Sequence, residues 1–181
     1  MIIYAKELRK PENLARVPGD KPGYYKWWAD RKSLDIILNA LDIEFATIEP
    51  FLEERGGLYC VYVGIAVKES IQKRLDWHIN QHHSNSHVKS GTLSTLRQSI
   101  SSIVAHNQHD EEAANAFIDK LTVEFFPLEL TIKSTEAKEA IHAIERRLLS
   151  EHLHLLNIQE NKHPNAKSIK QKLKKLRKES K

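Results

Sequence analysis

The sequence predicts a small α+β sandwich. Three β-rich runs, around residues 24–28, 57–64 and 121–130, are interleaved with at least four segments of helical periodicity. Three strands are too few for a doubly wound parallel sheet, so helices must cover a small sheet whose strands are antiparallel or mixed. At 181 residues and 40% apolar content the chain can bury one substantial core.

Residues 1–20 are polar, contain Pro11 and Pro18, and show no sustained period, so they read as an N-terminal arm ahead of a domain spanning 21–161. Pro22-Gly23 is turn punctuation, and the aromatic run Tyr24, Tyr25, Trp27, Trp28 favours a strand. From Ser33 to Leu52 the residues Leu34, Ile37, Leu38 and Leu41 recur at helical spacing, with Phe45 and Ile48 open to a second short element. Gly56-Gly57 turns the chain into LYCVYVGI, a strand ended by Gly64.

Ser70 is placed to cap a helix from Ile71 to about His82, with Ile71, Leu75 and Ile79 as its apolar stripe. HHSNSHVKSG reads as a polar loop, and Ser94–His106 as a second amphipathic helix. LTVEFFPLEL is a strand in which Pro127 restricts pairing to the residues before it or to an edge. Ser134 or Thr135 starts a long helix predicted to run through Leu156.

Residues 162–181 form a basic C-terminal tail. It holds nine Lys/Arg against Glu179 alone, leaving the preceding 161 residues with 19 bases and 23 acids. Its residues Ile169, Leu173 and Leu176 fall at helical spacing. Such a segment either neutralises phosphates or is simply a solvated helix. No run approaches the ~20 apolar residues of a membrane span, and the N-terminus MIIYAKELRK is not a signal peptide. The single cysteine, Cys60, lies in an apolar run and reads as a buried structural thiol, consistent with a reducing, cytoplasmic setting.

Several residues are candidates for chemistry. Glu145 falls between Ile141 and Leu149 on the apolar sector of the long helix, a costly place for a carboxylate. It is either a buried ion-pair partner or a Mg²⁺ ligand. Arg74 and His78, at i and i+4, share one helix face. They are either a surface pair or a phosphate-binding guanidinium beside a proton-transferring imidazole. Tyr25 and Tyr62 are either packing residues or phenols that orient or deprotonate water. His82, His83 and His87, with His78, lack partner cysteines and ordered spacing, which argues against zinc there. Phosphate-loop, dinucleotide-binding and nucleophile-elbow motifs are absent.

In order, these residues resemble the GIY-YIG nuclease superfamily, closest to its restriction-endonuclease-like branch. PGYYKWWA resembles the GIY strand through Gly23, Tyr24 and Tyr25, and VYVGIA resembles the YIG strand through Tyr62, Val63 and Gly64. Arg74 and His78 match the helix after YIG, Glu145 the metal-binding glutamate, and Asn157 the asparagine that accompanies it. The two tyrosines stand 37 residues apart, so a helical insertion must separate their strands, and Ile65 stands where many members have lysine, a role left to Lys68.

The resemblance implies a small central three-stranded antiparallel sheet flanked by helices. It also implies Mg²⁺- or Mn²⁺-dependent hydrolysis of DNA phosphodiesters. In that scheme Tyr25, helped by His78, meets the attacking water, Tyr62 positions it, Arg74 stabilises phosphoryl charge, Glu145 holds the metal, and Asn157 orients the metal shell or phosphate. Lys68 and the tail residues Lys170, Lys172, Lys174, Lys175, Arg177 and Lys178 are the expected DNA contacts. A palindromic site would call for a homodimer. A non-catalytic nucleic-acid-binding module, or a scaffold in which Glu145 pairs with Arg74, are the other readings.

Overall fold

The computed structural model describes residues 2–181. Its elements run β1 (Ile2–Tyr4), α1 (Ala5–Leu8), α2 (Pro11–Leu14), β2 (Gly23–Asp30), α3 (Arg31–Ala40), α4 (Phe45–Ile48) and β3 (Glu54–Arg55). There follow β4 (Leu58–Ala66), α5 (Ile71–Asn80), α6 (Asn85–Ser90), α7 (Thr95–Val104), α8 (Glu111–Ile118), β5 (Thr122–Pro127), α9 (Thr135–Glu151) and α10 (Ala166–Glu179).

The fold is α+β with an antiparallel sheet, but the sheet has five strands in the order β1-β5-β2-β4-β3, not three. The three central strands are the three β-rich runs of the sequence. The additions are short: β1 pairs Ile2–Tyr4 with Glu124–Thr122, and β3 adds only Glu54 and Arg55 beside β4. Segments of two or three residues are too short to carry a period, which is why they escape pattern reading. The N-terminal arm thus begins as an edge strand.

The central strands are long apolar runs because both faces are covered. On one face Tyr25, Trp27, Leu34, Leu75, Leu96, Ile100 and Leu173 share the main core, drawn from β2, α3, α5, α7 and α10. On the other, Trp28, Cys60, Val63, Leu148 and Leu149 form a smaller core under α9. A register shift opposite Trp27/Trp28 places Tyr62 across from Trp27 and Cys60 across from Trp28, so Tyr62 and Cys60 serve opposite faces.

Predicted helix starts agree with the structure. Ser70 accepts from the N–H of Lys73, Ser94 from Arg97 and Ser134 from Ala137. Three segments differ. The HHSNSHVKSG stretch contains α6, capped by Ser84 and closed by Gly91 in the left-handed conformation. The long helix stops at Glu151 rather than Leu156, because the next residues bond outside it: the N–H of Leu153 donates to Phe51 and that of Leu156 to Val61. The basic segment is a helix whose Ile169 and Leu173 are buried in the main core. Among the described residues no helix is long and apolar enough to cross a membrane.

Candidate active site

β2 and β4 lie side by side with Tyr25 opposite Gly64, although 38 residues and two helices intervene in sequence between them. Gly64 is required by this pairing, since a Cβ there would run into the Tyr25 ring. Gly23 is required likewise, a Cβ meeting the carbonyl of Phe126 and the side chain of Ile71. Both glycines of the tyrosine motifs therefore make room rather than turn the chain.

Beyond β3, the later half of β4 has a strand on one side only. A cleft of about 930 Å³ opens along this edge. Its walls bring together Tyr25, Tyr62, Arg74, Glu145 and Asn157, with Lys68 at its rim. His78 is 1% exposed and sits behind Tyr25, its Nε2 2.6 Å from the phenolic oxygen. The imidazole also packs edge-on against the rings of Trp27 and Tyr62.

Burial sets the protonation of this group. It pushes the phenol of Tyr25 well up, with Tyr62 adding to the rise and Arg74 opposing it. Tyr62 is raised to about 12, chiefly by burial. His78 is driven well below the usual imidazole range by burial, then by the charges of Arg74 and Arg97. At neutral pH the pair is therefore tyrosine and neutral histidine.

Arg74 donates through Nη1 to Glu69 (3.1 Å) and stacks on Trp77, while its buried Nε has no protein partner. Glu145 is half-buried and meets only Nδ1 of His142, at 3.3 Å. Burial raises its pKa, His142 partly offsets this, and the charge of Glu160 adds to the rise. No ion pair joins Glu145 to Arg74, so the scaffold reading loses its founding contact.

Asn157 reaches the cleft, but its amide is committed to the strand. Its Oδ1 accepts from the N–H of Val63 (2.9 Å) and its Nδ2 donates to the Val63 carbonyl (2.8 Å). The side chain pairs with the free edge of β4 as a neighbouring strand would, a different task from holding a metal shell.

The basic residues divide. Lys172 bonds the backbone and carboxylate of Asp42, Lys170 the carbonyl of Asn161, and Arg177 the amide of Gln98. Lys175 lies 3.8 Å from Glu179. Lys174 and Lys178, with Lys181, line a depression that shares Thr95, Ile158 and Gln159 with the cleft wall. The basic face of α10 is thus continuous with the cleft.

Other site residues carried no sequence signal. Lys133 and Lys138 line the cleft. Arg97, fully buried, donates to the carbonyls of His78 and Ile79 (both 3.0 Å), and Arg9 reaches Ile79 at 2.6 Å. Both arginines hold the C-terminal end of α5, where the helix dipole favours cations. His83 accepts from Arg97 at Nε2 and faces the Gln108 carbonyl with Nδ1 at 2.6 Å, so this histidine is structural.

A family model for the GIY-YIG catalytic domain matches residues 23–179. That span takes in both tyrosine strands, the cleft and the whole of the basic helix. No match was found among curated proteins or among solved structures. With both tyrosine strands paired as the motif requires and the matched model covering most of the chain, the protein belongs to the GIY-YIG family of nucleases.

Proposed function

We propose that the chain is a metal-dependent endonuclease hydrolysing DNA phosphodiesters, with Mg²⁺ or Mn²⁺ held at Glu145. The observation that carries this is the convergence of Tyr25, Tyr62, Arg74 and Glu145 on one cleft from four elements, with His78 bonded behind Tyr25. Glu145 suits a hard cation: it is a half-buried carboxylate with a single weak partner, beside the like charge of Glu160. When bound, the cation supplies positive charge to the phosphate and to the leaving 3′ oxygen.

The chain's own residues do the rest. The terminal N–H groups of Arg74 that Glu69 does not take offer donors for phosphoryl oxygens, the guanidinium being held in place by Glu69 and Trp77. Tyr25 takes a proton from water as it passes its own to Nε2 of His78. The imidazolium this creates is a third positive charge beside Arg74 and Arg97, offset by the negative charge growing on the phosphate. Tyr62 orients the water from the adjacent strand, and Lys68, Lys174 and Lys178 guide the DNA backbone.

The test is plasmid nicking with Mg²⁺ by wild type, Glu145→Ala and Glu145→Gln. Nicking by wild type and loss of at least ~10²-fold in both variants is expected. Equal nicking by all three removes Glu145 from the mechanism. A protein that binds DNA in a salt-dependent way yet nicks under no divalent cation is the second reading, a non-catalytic binding module, which the basic face of α10 serves equally well.

A further inference from the structure

On the opposite face of the sheet from Tyr25 and Tyr62, two side chains flanking the β3–β4 turn and a third from far along the chain meet around unsatisfied polar atoms. Glu53 precedes β3, Cys60 belongs to β4, and His154 lies in the loop after α9. One ligand atom from each falls within 4.8 Å of the other two. His154 is fully buried, yet neither ring nitrogen has a hydrogen-bond partner, and Oε2 of Glu53 is equally without one. Nε2 of His154 and Oε2 of Glu53 stand 3.8 Å apart, too far for a hydrogen bond. Buried histidines normally satisfy at least one nitrogen, so a pair of orphans aimed beside a carboxylate and a thiol needs an occupant.

The two oxygens of Glu53 are divided. Oε1 is held by Lys26 at 2.5 Å, which fixes the carboxylate and leaves Oε2 turned toward His154 and Cys60. The Glu53 side chain, 20% exposed, is the least buried of the three. The Cys60 thiol has only a 3.7 Å contact with the Tyr62 carbonyl.

We propose that Glu53, Cys60 and His154 form a binding site for a thiophilic transition-metal cation of the Zn²⁺ class, distinct from the hard-cation position at Glu145. One sulfur, one imidazole nitrogen and one carboxylate oxygen are the donor types such an ion takes, with a fourth position open to water. Metal–ligand bonds of about 2.0–2.3 Å hold tetrahedral ligands roughly 3.3–3.7 Å apart, so binding draws each pair together by at most roughly 1 Å. Cys60 binds as thiolate and releases its proton to solvent, which makes affinity rise with pH. The ion's two charges are met by the thiolate and the carboxylate, and Lys26 stays paired with Oε1.

The site has a structural consequence. His154 begins the loop whose Leu156 and Asn157 fasten to Val61 and Val63, and whose Ile158–Glu160 wall the cleft. A cation there ties this loop to β4 and to the approach to β3, stiffening the cleft from behind.

The test uses the full chain, stripped with chelator and titrated with Co²⁺ as a spectroscopic probe, then with Zn²⁺. The expected result is one equivalent of Co²⁺ with an intense thiolate charge-transfer band that Zn²⁺ abolishes. The band should be lost in Cys60→Ser and His154→Gln and kept in Glu145→Ala. In wild type, Zn²⁺ at a hundredfold excess over Kd should raise Tm by roughly 5–10 °C, with Mg²⁺ giving no such rise. This second readout holds even where a variant fails to fold. Absence of both the band and the Zn²⁺ shift overturns the proposal and leaves a buried water as the occupant. A band that survives His154→Gln, or is lost in Glu145→Ala, overturns it too.

Discussion

The phenolic oxygen of Tyr25 lies 2.6 Å from Nε2 of His78, with Tyr25 lining the cleft and the imidazole sealed behind it. Burial raises the phenol and lowers the imidazole, so neither is charged at neutral pH and one proton is shared along the contact. The relay predicts that Tyr25→Phe lowers single-turnover cleavage by roughly 10²–10⁴-fold. His78→Phe, which fills the site without a proton acceptor, should cost a comparable factor. Single-turnover rates at saturating Mg²⁺ check both. A His78→Phe rate within a few-fold of wild type would show that Tyr25 works without the imidazole.

Much of this site was legible because its residues break a local pattern. Glu145 stands in an apolar sector, Arg74 and His78 share a helix face, and the tyrosines occupy glycine-containing strands. Tyr25, Tyr62, Arg74 and Glu145 line one cleft, with His78 bonded behind Tyr25. What stayed hidden depends on long-range contact. Arg97 lies next to the apolar Leu96 as an ordinary helix residue would, and only folding shows it buried against the end of α5. The pairing of Asn157 with Val63 is invisible in sequence because it spans 94 residues. The edge strands β1 and β3 are too short to show a period, and the helix ends at Glu151 because the chain there is captured by Phe51 and Val61.

Asn157→Ala should be among the most damaging single changes near the cleft. It strips partners from both the N–H and the carbonyl of Val63 on a buried strand edge. At ~1–3 kcal/mol for each buried group left unpaired, the loss is about 2–6 kcal/mol. Asn157→Asp should be destabilising too, since its second oxygen faces the Val63 carbonyl where an N–H donor is needed. Urea unfolding of both variants measures this. A loss below about 0.5 kcal/mol in Asn157→Ala would mean that water replaces the amide without cost.

Stability should fall on the acid side in two stages. His78 and His154 are both held below the usual imidazole range, first by burial, so the unfolded chain binds protons there that the native chain does not. Stability therefore rises with pH and is lost as pH falls below about 6.5, by up to ~1.4 kcal/mol per pH unit for each histidine. Glu53 adds the second stage. Burial alone would raise it, but His154 and Lys26 overcome this and hold it at about 2. Its stabilising contribution is present above its unfolded pKa of 4.5 and lost as pH falls toward 2. Urea midpoints measured from pH 8 to pH 3 check the order, and His78→Phe should reduce the slope of the first stage only. A flat profile between pH 7 and pH 5.5 would show that these histidines are protonated in the native state.

The basic C-terminal segment has two faces with separable jobs, and this changes how its role is tested. Ile169 and Leu173 are buried in the main core, so removing residues 162–181 would strip the core as well as the charge. Leu173→Ala should cost about 2–5 kcal/mol and leave the salt dependence of DNA binding unchanged in whatever fraction remains folded. Lys174 and Lys178 are exposed, join no ion pair among the described residues, and line the depression beside the cleft. Lys174→Gln/Lys178→Gln should therefore leave Tm within about 1–2 °C, as expected of exposed substitutions. If each lysine neutralises one phosphate, the pair should flatten the slope of log K against log salt by up to about 1.8. Lys172, held by Asp42, serves as the control: its loss should change the slope far less than loss of Lys174. Equal slopes for wild type and the double variant would move the DNA path off α10 and onto the rim at Lys68, Lys133 and Lys138.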